Sequence, residues 1–144
     1  GRSVQLYKSQ SPNSVDDQAP LGDHFRIHST ATGKAILAEM PPEDADRILA
    51  NRDLVSVTDS TITDADRLRE ELDEIRDRGY SINRGEHFEG VCAVGTSVVS
   101  EIDDAIGAIS VSGPLSRMDA DRIETEIGPE LLNKKNIIEL KLRQ

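Results

Sequence analysis

Between residues 91 and 112 bulky apolar side chains alternate with small ones, the period of two that marks strands. Val91 to Val99 and Ala105 to Ser112 are therefore predicted as strands of an antiparallel hairpin, joined by the acidic turn Ser100-Glu101-Ile102-Asp103-Asp104. Upstream the period lengthens to that of helices. Over residues 64 to 78, Leu68, Leu72 and Ile75 fall at i, i+4 and i+7, with Thr63 as the capping residue and Gly79 just past the end. From Thr32 a small apolar helix, Gly33-Lys34-Ala35-Ile36-Leu37-Ala38-Glu39-Met40, is halted by Pro41 and Pro42. Pro42, Glu43 and Asp44 then open a second short helix that reaches about Ala50.

Shorter strands are expected at Val4 to Lys8, Phe25-Arg26-Ile27 and Tyr80-Ser81-Ile82, with a turn-rich loop over residues 9 to 23. Asp119 caps a last helix carrying Ile123, Ile127, Leu131 and Leu132, which Gly128-Pro129 should kink or break. The first strand begins at the very start of the chain with no helix or paired strand before it, so the chain is expected to be a fragment.

Composition narrows the class. A chain of 144 residues makes one domain large enough to bury a core without metal or disulfide staples. Its single cysteine, Cys92, excludes an intrachain disulfide and points to an intracellular, cytoplasmic protein. No apolar run has the length of a membrane span, and the start of the chain lacks the core of a signal peptide. With 27 acidic against 17 basic residues the net charge is −10, which disfavours a direct grip on nucleic acid. The basic residues are 12 Arg but only 5 Lys against 15 Asp and 12 Glu, a bias expected of a salt-loving source. At about 1 M salt the Debye length is roughly 3 Å, so a hydrated acidic shell costs little there.

The hairpin carries the main candidate for chemistry. Alternation places Ala108, Ser110 and Ser112 on one face of the second strand, and Val91, Ala93, Gly95 and Ser97 on one face of the first. If these two faces coincide, they leave volume over the sheet with hydroxyl donors at its floor, as a small polar ligand requires. A solvent-facing sheet surface would show the same pattern.

The run His28-Ser29-Thr30-Ala31-Thr32-Gly33-Lys34 leads into a helix whose first N–H groups can seat an anion, though an ordinary N-cap at Thr30 or Thr32 explains the same residues. It is not a phosphate loop, because His28 stands where the leading Gly belongs and Ala35 where a magnesium-binding Ser or Thr would be. Strand parity sets Cys92 beside Val94 and Val98, which predicts an inert buried thiol despite the nearness of His87. Glu86, His87 and Glu89 have metal-binding side chains but no second ligand cluster, and read as solvated surface. No catalytic site, cofactor or metal is expected, and the chain does not read as an enzyme.

Several segments, taken in order, resemble one family. They are His28 through Ala38; Thr61-Ile62-Thr63-Asp64 before a helix ending Arg78-Gly79-Tyr80; Gly90-Val91; and Ile109-Ser110-Val111-Ser112-Gly113-Pro114 followed by Ser116-Arg117. The series is similar to the effector-binding domain of IclR-type transcriptional regulators, and the match runs from residue 3 to about 142. The resemblance implies an α/β (α+β) fold, a GAF-like curved antiparallel sheet flanked by helices. It implies that residues 1–144 are the regulatory domain, without the winged helix-turn-helix that binds DNA and without the start of the regulatory domain itself.

Carried over residue by residue, the family's effector pocket falls on Ala31, Thr32 and Gly33, on Asn83, on Val91 and Ala93, and on Ser110 and Ser112. Two departures bear on the ligand. Many relatives have Arg then Cys after Gly-Val, where this chain has Cys92 and Ala93. Where relatives carry an acidic run after Tyr-x-x, this chain has Asn83-Arg84-Gly85-Glu86, and Arg84 favours an acidic ligand. The resemblance therefore implies a small organic effector, expected here to be a carboxylate, whose binding modulates DNA affinity in a homodimer or homotetramer. DNA would be reached only through the absent N-terminal domain. The alternative is a dimerisation-only module with a vestigial pocket.

Overall fold

The computed structural model describes residues 2–4, 24–51, 53–102 and 105–144. Three antiparallel strands form the central sheet in the order β3–β4–β5: β3 is Ser81–Arg84, β4 Val91–Ser100 and β5 Ala105–Pro114. The hairpin of β4 and β5 is the predicted one, each strand a residue or two longer. Residues 103 and 104 of its expected turn lie outside the described residues. A separate two-stranded ribbon pairs β1 (Arg2–Val4) with β2 (His24–Arg26). The strand expected over Val4 to Lys8 is thus found at Arg2–Val4, and its remainder and the 9–23 loop also lie outside the described residues.

Among the described residues, three helices precede the sheet. The first, α1 (Ala31–Glu39), starts at the Thr30 cap and ends at Pro41, and α2 (Pro42–Ala50) follows with Pro42 in its first turn. In α3 (Ala65–Arg78) the cap is Asp64 and not the expected Thr63: the Asp64 carboxylate accepts the Asp66 N–H. Gly79 closes α3 with φ of 92°, a left-handed conformation that only glycine adopts without strain. Ile27, Leu37, Ala38, Ala45, Leu49, Leu68, Leu72 and Ile75 form one core among these helices.

A second core, of Tyr80, Cys92, Val94, Met118, Ile123 and Leu131, fills the opposite face of the sheet beneath the C-terminal segment. That segment begins with the helical turn α4 (Ala120–Arg122), capped by Asp119, and ends with α5 (Gly128–Leu142). Gly128-Pro129 does not break it. Instead Ile123–Ile127, just upstream, widens into a π turn, which accommodates a proline ring that would collide with the preceding turn of a regular helix. Gly128 is obligatory for packing, since a Cβ there would lie 2.6 Å from the Tyr80 ring. The result is a sheet with α1 on one face and α5 on the other. No helix among the described residues is long and apolar enough to cross a membrane.

Candidate functional site

The register of the sheet determines which side chains share a face. Ala93 pairs with Ser112 and Gly95 with Ser110, so the two small faces do coincide. On the other side of β4, Asn83 pairs with Ala93 and Ser81 with Gly95. Two rows therefore cross the sheet on one face: Asn83, Ala93, Ser112, and next to it Ser81, Gly95, Ser110. Val91 lies at the end of this face, paired with Pro114.

The first turn of α1 rests on the second row. A Cβ on Gly95 would lie 2.8 Å from the Ala31 carbonyl carbon, so only glycine lets the helix start come this close. Ser81 Oγ–H donates to the Ala31 carbonyl and fastens the contact. Ala31 is buried there, Ala93 and Val91 are half-buried, and Ser110 and Ser112 are exposed on the β5 flank. The site is a small-residue floor, closed at one end by a helix start and carrying two accessible hydroxyls.

Not every predicted residue faces this floor with free groups. Gly33 lies against Ile27, where a Cβ would meet the Ile27 carbonyl oxygen, and its N–H donates to Thr30 Oγ1 at 3.1 Å. The Thr30 cap thus takes up one of the helix-start donors considered for an anion. Thr32 is half-buried in the first turn of α1. The Asn83 amide is engaged at both ends: Nδ2 donates to the Ser29 carbonyl at 2.7 Å, and Oδ1 accepts the Glu86 N–H at 2.8 Å. In this geometry Asn83 ties β3 to the segment entering α1.

Sequence reasoning missed the polar cluster behind this wall. Lys34 is fully buried, and its ammonium donates to Glu71 Oε1 at 2.6 Å, the Ile82 carbonyl at 2.7 Å and Glu86 Oε1 at 2.8 Å. Three donors meet three acceptors. Glu86, expected from the sequence to be solvated surface, is buried within this cluster. Ser29 Oγ sits 2.9 Å from His87 Nδ1 nearby. The available signal was one lysine within an apolar helical run, a position where an ammonium needs buried acceptors.

Cys92 lies on the other face, wholly buried with Val94. Burial pushes its thiol above the ordinary value, which removes the thiolate a nucleophile needs.

Comparison with known proteins agrees with this architecture. The family described as "Bacterial transcriptional regulator IclR C-terminal" matches residues 1–137. The "Probable HTH-type transcriptional regulator ArcR" of Halobacterium salinarum is 30% identical over 145 residues, covering 99% of this chain and 55% of that protein. The crystal structure of the Thermotoga maritima IclR superposes with a TM-score of 0.89 at 30% identity, over 98% of this chain and 57% of that one. The inducer-binding domain of the Acinetobacter PobR transcription factor, a double mutant in complex with 3-hydroxybenzoic acid, has a TM-score of 0.82 at 26% identity. That match covers 96% of this chain and 81% of the other. The chain spans about half the length of the curated relatives it matches, and those relatives are transcriptional regulators. The chain therefore belongs to the IclR family of bacterial transcriptional regulators, and residues 1–137 correspond to the family's C-terminal domain.

Proposed function

We propose that this domain is the effector-binding module of a cytoplasmic regulator and that it receives a small organic carboxylate over the small-residue face of its sheet. The observation that carries the reading is the register: Ala93 opposite Ser112 and Gly95 opposite Ser110, with the first turn of α1 seated on Gly95. Small side chains supply the volume. The Ser110 and Ser112 hydroxyls supply donors, and the positive end of the nine-residue helix α1 favours the anionic end of a ligand near Ala31 and Thr32. Val91 and Ala93 form the apolar floor. The complex of PobR with a hydroxybenzoic acid supports a carboxylate as the class of ligand.

In the full-length regulator, ligand binding alters how protomers pair, as a homodimer or homotetramer, and DNA affinity changes through the attached DNA-binding domain. Such coupling is on the order of 1 to 3 kcal/mol. A panel of small aliphatic and aromatic carboxylates, 3-hydroxybenzoate among them, tests the reading by thermal shift and calorimetry. A member present at 100 times its dissociation constant adds about 2.7 kcal/mol of stability. Ser110→Ala and Ser112→Ala should each weaken that binding; unchanged affinity in both removes the β5 hydroxyls from the site. A panel without any binder favours the dimerisation-only module.

A further inference from the structure

Strand alternation sends Asn83 toward the small-residue face and its neighbours Ile82 and Arg84 away from it. These two line a separate groove of about 310 Å³ between β3 and α3. We propose that this groove is a second ligand site, one that takes a small organic anion, a carboxylate or a phosphate ester, with Arg84 as its main contact.

The groove is built in layers. Its α3 wall is a single stripe, Arg67, Glu71, Glu74 and Arg78, at i, i+4, i+7 and i+11. Ile62 and Ile82 also border it, Ile62 packed against the first core and Ile82 against the second, while the Ile82 carbonyl accepts from Lys34. At the inner end Glu71 and Glu86 are both held by the buried Lys34 ammonium. Glu74 lies 3.8 Å from the Arg78 guanidinium, which also donates to the Tyr80 carbonyl.

The remaining charges are cationic. The Arg84 guanidinium makes no hydrogen bond or ion pair among the described residues, and Arg67 reaches only Glu70, at 3.8 Å. With Lys34 and Glu70 included, four cations meet four carboxylates here, a local balance that leaves Arg84 without a carboxylate partner in a chain whose net charge is −10. A guanidinium of this kind binds carboxylate or phosphate through two parallel N–H bonds. The volume is at the lower end of the range for ligand pockets, about 300 Å³, and suits a small metabolite. The groove is joined to the sheet face by one short path: the Arg84 N–H donates to Glu86 Oε2, and the Glu86 N–H donates to Asn83 Oδ1.

The test is a titration of the 144-residue domain with succinate and, separately, inorganic phosphate at constant ionic strength, followed by amide chemical shifts. Saturable shifts centred on Arg67, Ile82 and Arg84 are expected with at least one anion, and the anion that saturates names the source. Arg84→Gln, at an exposed position, should weaken that binding about tenfold, and Arg67→Gln should weaken it less. The proposal is overturned by shifts at the groove that only track ionic strength, by saturable shifts confined to Ala31, Ser110 and Ser112 with none at the groove, or by groove binding that Arg84→Gln leaves intact. Because the readout is residue by residue, failure of the sheet-face reading would leave a result at the groove unaffected, and the reverse.

Discussion

Lys34 Nζ and Glu86 Oε1 lie 2.8 Å apart in the interior, although 52 residues separate them in the chain. With Glu71 completing the cluster from 37 residues away, one ammonium holds α1, α3 and the loop after β3 together. Breaking a buried ion pair by removing one partner is far costlier than never having built it, because the other charge stays buried.

Lys34→Met should therefore cost about 3 to 5 kcal/mol in urea unfolding, since two carboxylates lose their shared partner. A loss below about 1 kcal/mol would mean that the cluster rearranges or admits water.

Gly95→Ala addresses the floor of the sheet face. The new methyl would lie 2.8 Å from the Ala31 carbonyl carbon and 3.0 Å from Ser81 Oγ, both fixed parts of the structure. Lifting α1 off the sheet should cost about 1 to 3 kcal/mol and weaken binding of any ligand seated there. Wild-type stability in this variant would show that the α1 contact yields easily.

The strands and the main helices were legible in the sequence because their burial is periodic. Alternation along β4 and β5 disclosed which residues share a face, and Leu68, Leu72 and Ile75 with Gly79 disclosed α3. Long-range polar contacts leave no such period. Lys34 stood out only as a lysine in an apolar helical run, and nothing near it in sequence named Glu71 or Glu86 as its partners. Asn83 read as a ligand contact, and its actual bonds to Ser29 and Glu86 depend on how two loops fold toward each other. Gly128-Pro129 signalled a disturbance in the last helix; its form, a widened turn just upstream that makes room for the Pro129 ring, is neither the kink nor the break expected.

Cys92 should be almost unreactive in the native domain. Its thiol is buried and pushed above its ordinary value, so alkylation requires opening of the second core. Labelling at neutral pH should be slower than in denaturant by about a hundredfold or more. Comparable rates would contradict the packing of Cys92 beside Val94.

Glu139 links stability to pH. Burial alone would push its carboxyl up, but the Val99 N–H at 3.0 Å and the Lys135 ammonium at 3.0 Å outweigh it and hold it below the ordinary value. A group depressed on folding stabilises above its unfolded value, about 4.3, and that stability is lost as pH falls through the lower folded value. Glu139→Gln should cost about 1 kcal/mol at neutral pH and flatten the decline of unfolding free energy in acid. An unchanged acid limb would remove Glu139 from the account.

The acid excess predicts a salt response. Raising KCl from dilute buffer to about 1 M shortens the Debye length from roughly 10 Å or more to 3 Å and relieves repulsion in a chain of net charge −10. The melting temperature should rise. A melting point insensitive to salt would remove the support for a halophilic origin.

Lys135 and Glu139 do more than pair with each other. Beyond Gly95 the short β3 no longer runs alongside β4, and there Lys135 donates to the Ser97 carbonyl while Glu139 accepts from Val99. Two side chains of α5 thus occupy backbone positions where a foreign strand would dock. Self-association by strand addition, the usual hazard of an unguarded sheet margin, is blocked on that side of β4. Copies of this domain that meet one another must do so through side-chain surfaces and not by extending the sheet from there.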